Sequence, residues 1–161
     1  MAPRVGILMG SRSDMPVMQK ASDLLAELGV EHEVRVMSAH RTPDLVADYA
    51  TGAAGRGVQV IVAAAGGAAH LAGVVAAHTL LPVIGVPIAT QVAGGLDSLL
   101  STVQMPRGVP VATVSVGGAE NAALLAAEIL GLSDDVVQAR LAAYRERQAR
   151  AILDDETNRG A

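Results

Sequence analysis

His40 and His70 each sit in a short run of small and polar residues: Ser38-Ala39-His40-Arg41-Thr42-Pro43 and Gly66-Gly67-Ala68-Ala69-His70-Leu71. Histidine is the side chain whose ordinary pKa lets it take and give a proton near neutrality. Arg41 can grip phosphate or carboxylate through a fork of hydrogen bonds. Gly66 and Gly67 permit close backbone approach to a ligand, and the N–H groups of such a turn can hold a carboxylate. A third run, Gly10-Ser11-Arg12-Ser13-Asp14, puts a flexible glycine, hydroxyls, a guanidinium and a carboxylate ahead of a helix. Backbone N–H groups at a helix start favour an anion. The chemistry these runs suggest is proton transfer on a small anionic ligand.

Each run also has a plainer explanation. Ser13 or Asp14 can simply cap a helix. A lone His-Arg pair is more often a solvated turn, and a site needs further partners. His70 fits a packed, hydrogen-bonded histidine as well as a chemical role. His32 and His78 lack such context, and His78 falls in an apolar helical run, where a structural role is expected. Elimination narrows the field. The chain has no cysteine, which removes disulfides, thiolate nucleophiles and cysteine-bound zinc. Lys20 is the single lysine and lies inside a helix, which argues against Schiff-base or biotin-carrying chemistry. No metal site is indicated by His, Asp or Glu spacing. Neither a P-loop, a dinucleotide fingerprint nor a Gly-x-Ser-x-Gly elbow is present.

The elements that must carry these loops alternate strand and helix. Val5 to Met9, Glu33 to Met37, Val58 to Ala64, Pro82 to Val86 and Val109 to Val116 read as strands. Several are apolar throughout, the mark of a parallel sheet covered on both faces. The first helix shows Val17, Ala21, Leu24, Leu25 and Leu28 on one face and stops at Gly29. Thr42 as N-cap and Pro43 at the first position open the second, with Leu45, Val46, Tyr49 and Ala53 on its apolar face. Short helices are expected through Val74-Val75 and around Asp97 to Leu100, and a longer one from Gly118 to Gly131. Ser133 is expected to cap a last helix whose inner face holds Val137, Leu141, Tyr144 and Ile152.

This pattern predicts a single α/β domain over residues 1–161: a three-layer, doubly wound sandwich on a mainly parallel five-stranded sheet, flavodoxin-like, with residues 133–161 as C-terminal helix and tail. Ligands bind at the carboxyl ends of strands in such folds, where all three runs fall.

Bulk composition sets further limits. The net charge of −4 argues against a nucleic-acid partner. Val60 to Ala77 is long and apolar enough to prompt a membrane test. Gly66, Gly67 and His70 interrupt it, and basic and aromatic flanks are missing, so no membrane span is expected. The start lacks a signal-peptide pattern, which favours the cytoplasm. At 51% hydrophobic and 17% charged, with no Phe or Trp, the chain is expected to bury surface in a homo-oligomer.

Taken in order, the motifs Met9 to Asp14, Ser38 to Pro43, Ala65 to Leu71, Gly94 to Leu99 and Val103 to Pro106 make the chain resemble the AIR carboxylase family, in its bacterial class I mutase branch. The likeness runs from Val5 to about Gly131. It implies an isomerase that converts N5-carboxyaminoimidazole ribonucleotide to 4-carboxy-5-aminoimidazole ribonucleotide in purine (IMP) biosynthesis. A homo-octamer without cofactor or metal is also implied. The resemblance makes His40 the proton shuttle. Ser11, Asp14 and Arg41 would bind the ribose 5-phosphate part, supported by Gly10 and Ser13. Ser38, Ala39, Gly66, Gly67, Ala68, His70 and Leu71 would surround the aminoimidazole and its migrating carboxylate. Two other readings stay open: direct carboxylation of the aminoimidazole by carbon dioxide, and a non-catalytic nucleotide-binding module. Two departures stand out. Ala72 replaces the family's usual proline, which would loosen the exit from the third loop. The loop Gly117 to Asn121 is shorter than the common glycine-lysine-rich version, so no ligand contact is carried onto it.

Overall fold

The structure is a computed structural model and describes residues 2–158. Strand β1 (Val5–Met9) is buried at every residue. Ile7 and Met9 face one core layer while Leu8 faces the other. A strand with apolar groups on both sides needs cover on both sides, and the chain supplies it. Helices α1 (Met15–Glu27) and α5 (Ala119–Gly131) share one layer of the core. Helices α2 (Pro43–Ala53) and α3 (Leu71–Ala77) share the other. The remaining strands are β2 (His32–Val36), β3 (Val60–Gly66), β4 (Val83–Ile88) and β5 (Ala112–Thr113). They pair in the order β2-β1-β3-β4-β5, and every pair is parallel. This is the doubly wound, flavodoxin-like sheet that the alternation predicts. The run Val60 to Ala77 is divided among β3, a loop and α3. Among the described residues no helix is long and apolar enough to cross a membrane.

Several expected boundaries change. The fifth strand shrinks from Val109–Val116 to Ala112–Thr113. Its partner β4 carries Pro87 two residues past Gly85, on the same edge, and proline has no N–H to continue the ladder. Only the bonds from Val114 N to Gly85 O (3.1 Å) and Gly117 N to Pro87 O (2.8 Å) continue along that edge. The last helix, α6 (Asp135–Leu153), is capped by Asp134 rather than Ser133. Asp134 Oδ1 accepts from Val136 N and Val137 N at 3.0 and 3.1 Å, while its Oδ2 pairs with Arg4 at 2.6 Å. A carboxylate can serve both partners, and a hydroxyl cannot. The Arg4 hydrogen bond, with these amides, holds the Asp134 carboxyl below its usual range. Two residues assigned to inner faces, Leu45 and Ile152, are exposed. His78 also lies exposed, at the C-terminal end of α3 and not within it.

Helix α4 (Leu96–Val103) lies against β3, β4 and β5. Its approach depends on Gly85: a Cβ there would stand 2.4 Å from Thr102 Cγ2 and 2.9 Å from Val111 Cγ1. Thr102 is buried in α4, and Val111, just before β5, packs against the core, so neither can simply swing aside. Gly85→Ala is therefore expected to destabilise the fold by ~1–3 kcal/mol, the usual range for overpacking. Urea unfolding would show this as a lower midpoint. An unchanged midpoint would mean that α4 is not seated by this contact.

Candidate functional site

The carboxyl ends of β1, β2 and β3 deliver the three loops to one edge of the sheet. After β1, Ser11 caps a 3-10 turn over Arg12–Asp14: its Oγ accepts from Ser13 N at 3.3 Å and from Ser13 Oγ at 2.8 Å. The expected caps Ser13 and Asp14 do not act as such. Asp14 sits at the N-cap position of α1 but makes no side-chain cap bond. Its carboxyl is left nearly buried beside the cavity, at 8% exposure.

After β2, Ser38 and Thr42 close the second loop on themselves. Ser38 N donates to Thr42 Oγ1 (2.9 Å), and Thr42 Oγ1 donates to Ser38 O (3.1 Å). Thr42 holds the N-cap position of α2 as expected, but without a cap bond, because its hydroxyl is spent on Ser38. Ser38 Oγ accepts from Arg41 N and Nε at 3.2 and 3.3 Å. The far end of Arg41 donates to Gly10 O at 2.8 Å. Arg41 thus ties the second loop to the first and leaves other guanidinium donors free for a ligand.

The third loop differs from expectation in one respect. Its N–H groups are mostly committed inside the protein. Gly67 N donates to Ser98 Oγ (2.8 Å), Ala69 N to Gly67 O (2.8 Å) and His70 N to Ala68 O (2.9 Å). Gly67 takes φ +68, where a side chain is strained. Of this stretch, the Ala68 and Leu71 amides make no such bond among the described residues. The loop also carries His70 to His40: Nδ1 of His70 lies 2.9 Å from Nε2 of His40, with the rings edge to face. One ring must donate and the other accept. The contact therefore links the tautomer of His40 to that of His70. His32 is separate, its ring held between Ser22 Oγ (2.7 Å) and Val30 O (2.9 Å).

A cavity of about 520 Å³ opens between the loops. The first loop contributes Gly10, Ser11, Ser13 and Asp14, and the second Ser38, Ala39, His40 and Arg41. From the third loop come Gly66 and Ala68, joined by Leu71 at the start of α3. Gly67 and His70 are not part of this wall: Gly67 is turned to α4, and His70, itself exposed, touches His40. Ala72, in the first turn of α3, is buried against the Gly85 backbone and does not line the cavity. Sequence reasoning missed Ala65, Ile88, Ala89 and Thr90, which complete the wall. Three of these follow from the rule already applied to β1, β2 and β3, had it been extended to the carboxyl end of β4. Thr90 Oγ1 donates to Asp97 Oδ1 at 2.6 Å, and this bond leads the causes that hold the Asp97 carboxyl below its usual range. Among the described residues, no cluster of His, Asp and Glu is arranged to hold a metal.

Burial pushes the Asp14 carboxyl above its usual range. Hydrogen bonds from Ser11 and Ser13 and the positive charge of Arg41 oppose that push without cancelling it.

The model of the family described as AIR carboxylase matches residues 4–151. The chain is similar to the N5-carboxyaminoimidazole ribonucleotide mutase of Thermotoga maritima, at 55% identity over 94% of this chain and 89% of that one. Its similarity to the mutase of the same name from Mycobacterium tuberculosis H37Rv is 59% identity over 93% of this chain and 86% of that one. Among solved structures, Treponema denticola PurE superposes with a TM-score of 0.89 at 31% identity, covering 99% of both chains.

The Asp14 carboxyl has a consequence for stability. With its folded-state pKa raised, it favours folding while protonated, below the ordinary carboxylate pKa, and that contribution is lost as pH rises through the folded-state value. At neutral pH the buried charge is a net cost. Asp14→Asn is expected to melt at a higher temperature than the parent at pH 7, with the gap closing on acidification. A lower melting point at pH 7 would show that the carboxylate's partners outweigh its burial.

Proposed function

Because the chain belongs to the AIR carboxylase family, we propose that it is an isomerase that converts N5-carboxyaminoimidazole ribonucleotide to 4-carboxy-5-aminoimidazole ribonucleotide in purine biosynthesis. The observation that carries this reading is the His40–His70 pair, 2.9 Å apart, with His40 at a cavity walled by small residues and by a polar edge of Ser11, Ser13, Asp14, Ser38 and Arg41. The names of relatives at 55% and 59% identity point the same way.

In this reading Arg41, Ser11 and Asp14 take the ribose 5-phosphate part. Arg41 offers its free guanidinium donors to phosphate, and Asp14 accepts from hydroxyls. Gly10, Ser13 and Ser38 shape that edge through the hydrogen bonds described. The aminoimidazole and its carboxylate lie toward Ala39, Gly66, Ala68 and Leu71. The N5–carboxylate bond breaks, and its electron pair stays on N5. The resulting aminoimidazole is an enamine, whose C4 attacks the carbon dioxide just released. His40 removes the C4 proton, and a proton returns to N5. In this reading the seated nucleotide closes the cavity over the small apolar wall of Ala65, Ala68 and Ala89, and carbon dioxide is kept beside C4. Retention turns a two-body encounter into a nearly one-body step. General acid–base help of this kind is worth ~10²–10⁴-fold.

The active particle is proposed to be a cytoplasmic homo-octamer. Leu96, Leu100 and Val103 form an exposed apolar stripe along α4, next to exposed Val92. Such a stripe is suited to burial against another copy.

Two measurements test these statements. Purified protein given the N-carboxylated nucleotide should form the C4-carboxylated product rapidly, and far more slowly from aminoimidazole ribonucleotide plus bicarbonate. His40→Asn should bind nucleotide yet lose ~10²-fold or more in turnover, and Arg41→Ala should mainly raise KM. Fast turnover from bicarbonate alone would favour direct carboxylation, and full activity in His40→Asn would remove its proton role. Light scattering should give eight chain masses, with smaller particles for Leu100→Asp. A monomeric parent would reject the assembly.

A further inference from the structure

We propose that Ser98 and Ser101 are positioning residues for the carboxylate migration, acting through the Gly67 peptide. This rests on the mutase reading above. Two facts make the third loop dependent on outside support. It is built of Gly and Ala, which have no side-chain polar groups of their own to fix it. It also passes through a left-handed residue, Gly67, followed by two tight turns. Helix α4 supplies the support. Ser98, fully buried, accepts from Gly67 N at 2.8 Å, and Ser101 Oγ shares its hydrogen between Asp97 O in its own helix, at 2.7 Å, and Gly67 O, at 3.1 Å. Three residues apart, the two serines share one face of the helix and grip both polar ends of one residue.

The helix is itself anchored to the cavity wall. Asp97 Oδ1 accepts from Thr90 Oγ1 and from Ser98 N, at 2.6 and 2.8 Å. Gly95, just before the helix, lies so close to Ile88 and Ala89 that a Cβ would stand 3.0 Å from Ala89 Cα. The serine grip therefore sets where the loop stands relative to β4. Downstream of Gly67 lie Ala68, which lines the cavity, and His70, which meets His40. A loosened Gly67 shifts both the wall against carbon dioxide and the partner of the proton shuttle. The nucleotide-gripping residues lie on the other two loops and are left in place.

The test uses the full chain carrying Ser98→Ala or Ser101→Ala, supplied with the N-carboxylated nucleotide. Both the C4-carboxylated product and free aminoimidazole ribonucleotide are quantified. Ser98→Ala is expected to lower kcat at least ~10-fold with KM within about twofold of the parent, since small misplacement at a reacting centre costs this much or more. A larger share of turnovers should end as free aminoimidazole ribonucleotide and carbon dioxide. Hydrogen exchange in the peptide containing Gly67 should quicken while that in β1 does not. Ser101→Ala, at a half-buried position, should move every readout the same way by less; it decides the matter if Ser98→Ala fails to fold. Parental kcat and product partitioning in the folded variants would overturn the proposal, as would a raised KM at unchanged kcat. A parent that forms no C4-carboxylated product would instead overturn the mutase reading itself.

Discussion

The double-sided burial of β1 is the constraint from which the arrangement of the loops follows. With Ile7 and Met9 in one layer and Leu8 in the other, the strand must lie inside a sheet with helices on both faces. Its neighbours are β2 and β3, and all run parallel to it. Three consecutive carboxyl ends therefore emerge on one edge. No loop has to search for its partners; each is released within reach of the others. The Arg41–Gly10 and His40–His70 bonds are local adjustments made possible by that register.

The site then divides its labour between two kinds of residue. Charged and hydroxylated groups on the first two loops are tied together, with Arg41 bonded to Ser38 and Gly10 and Asp14 to Ser13, along one side of the cavity. Small residues on the third loop and at the end of β4 make the opposite wall. They contribute shape and close approach more than hydrogen bonds, because most of the loop's amides are already satisfied internally. The same economy is visible in stability. Burial disfavours the charged form of Asp14, and hydrogen bonds from Ser11 and Ser13 and the charge of Arg41 only partly oppose it.

Helix α4 connects these features to the rest of the molecule. One edge of it grips the third loop, Gly85 lets it lie close to the sheet, and its outer face is apolar and exposed. The helix does not line the cavity itself; it reaches it through Gly67 and through the Thr90–Asp97 hydrogen bond.

The amino-acid sequence by itself determined the alternation of strand and helix, the two-sided apolar character of β1 and β3, and the three chemically loaded turns. These are local properties: period, cap and turn chemistry act within a few residues. The family resemblance carried by the ordered motifs was legible for the same reason, since each motif is a short contiguous string. Tertiary structure decided what depends on a partner far along the chain. Pro87 on β4 shortens β5; Arg4 makes Asp134 the better cap than Ser133; Ser38 claims the hydroxyl that would have capped at Thr42. Only folding could show that Gly67 faces α4 and not the cavity, because its amide chooses Ser98 from 31 residues away. His70 was the open case in sequence, packed or chemical. The fold sets it against His40, 30 residues distant, a distance that no periodicity can read.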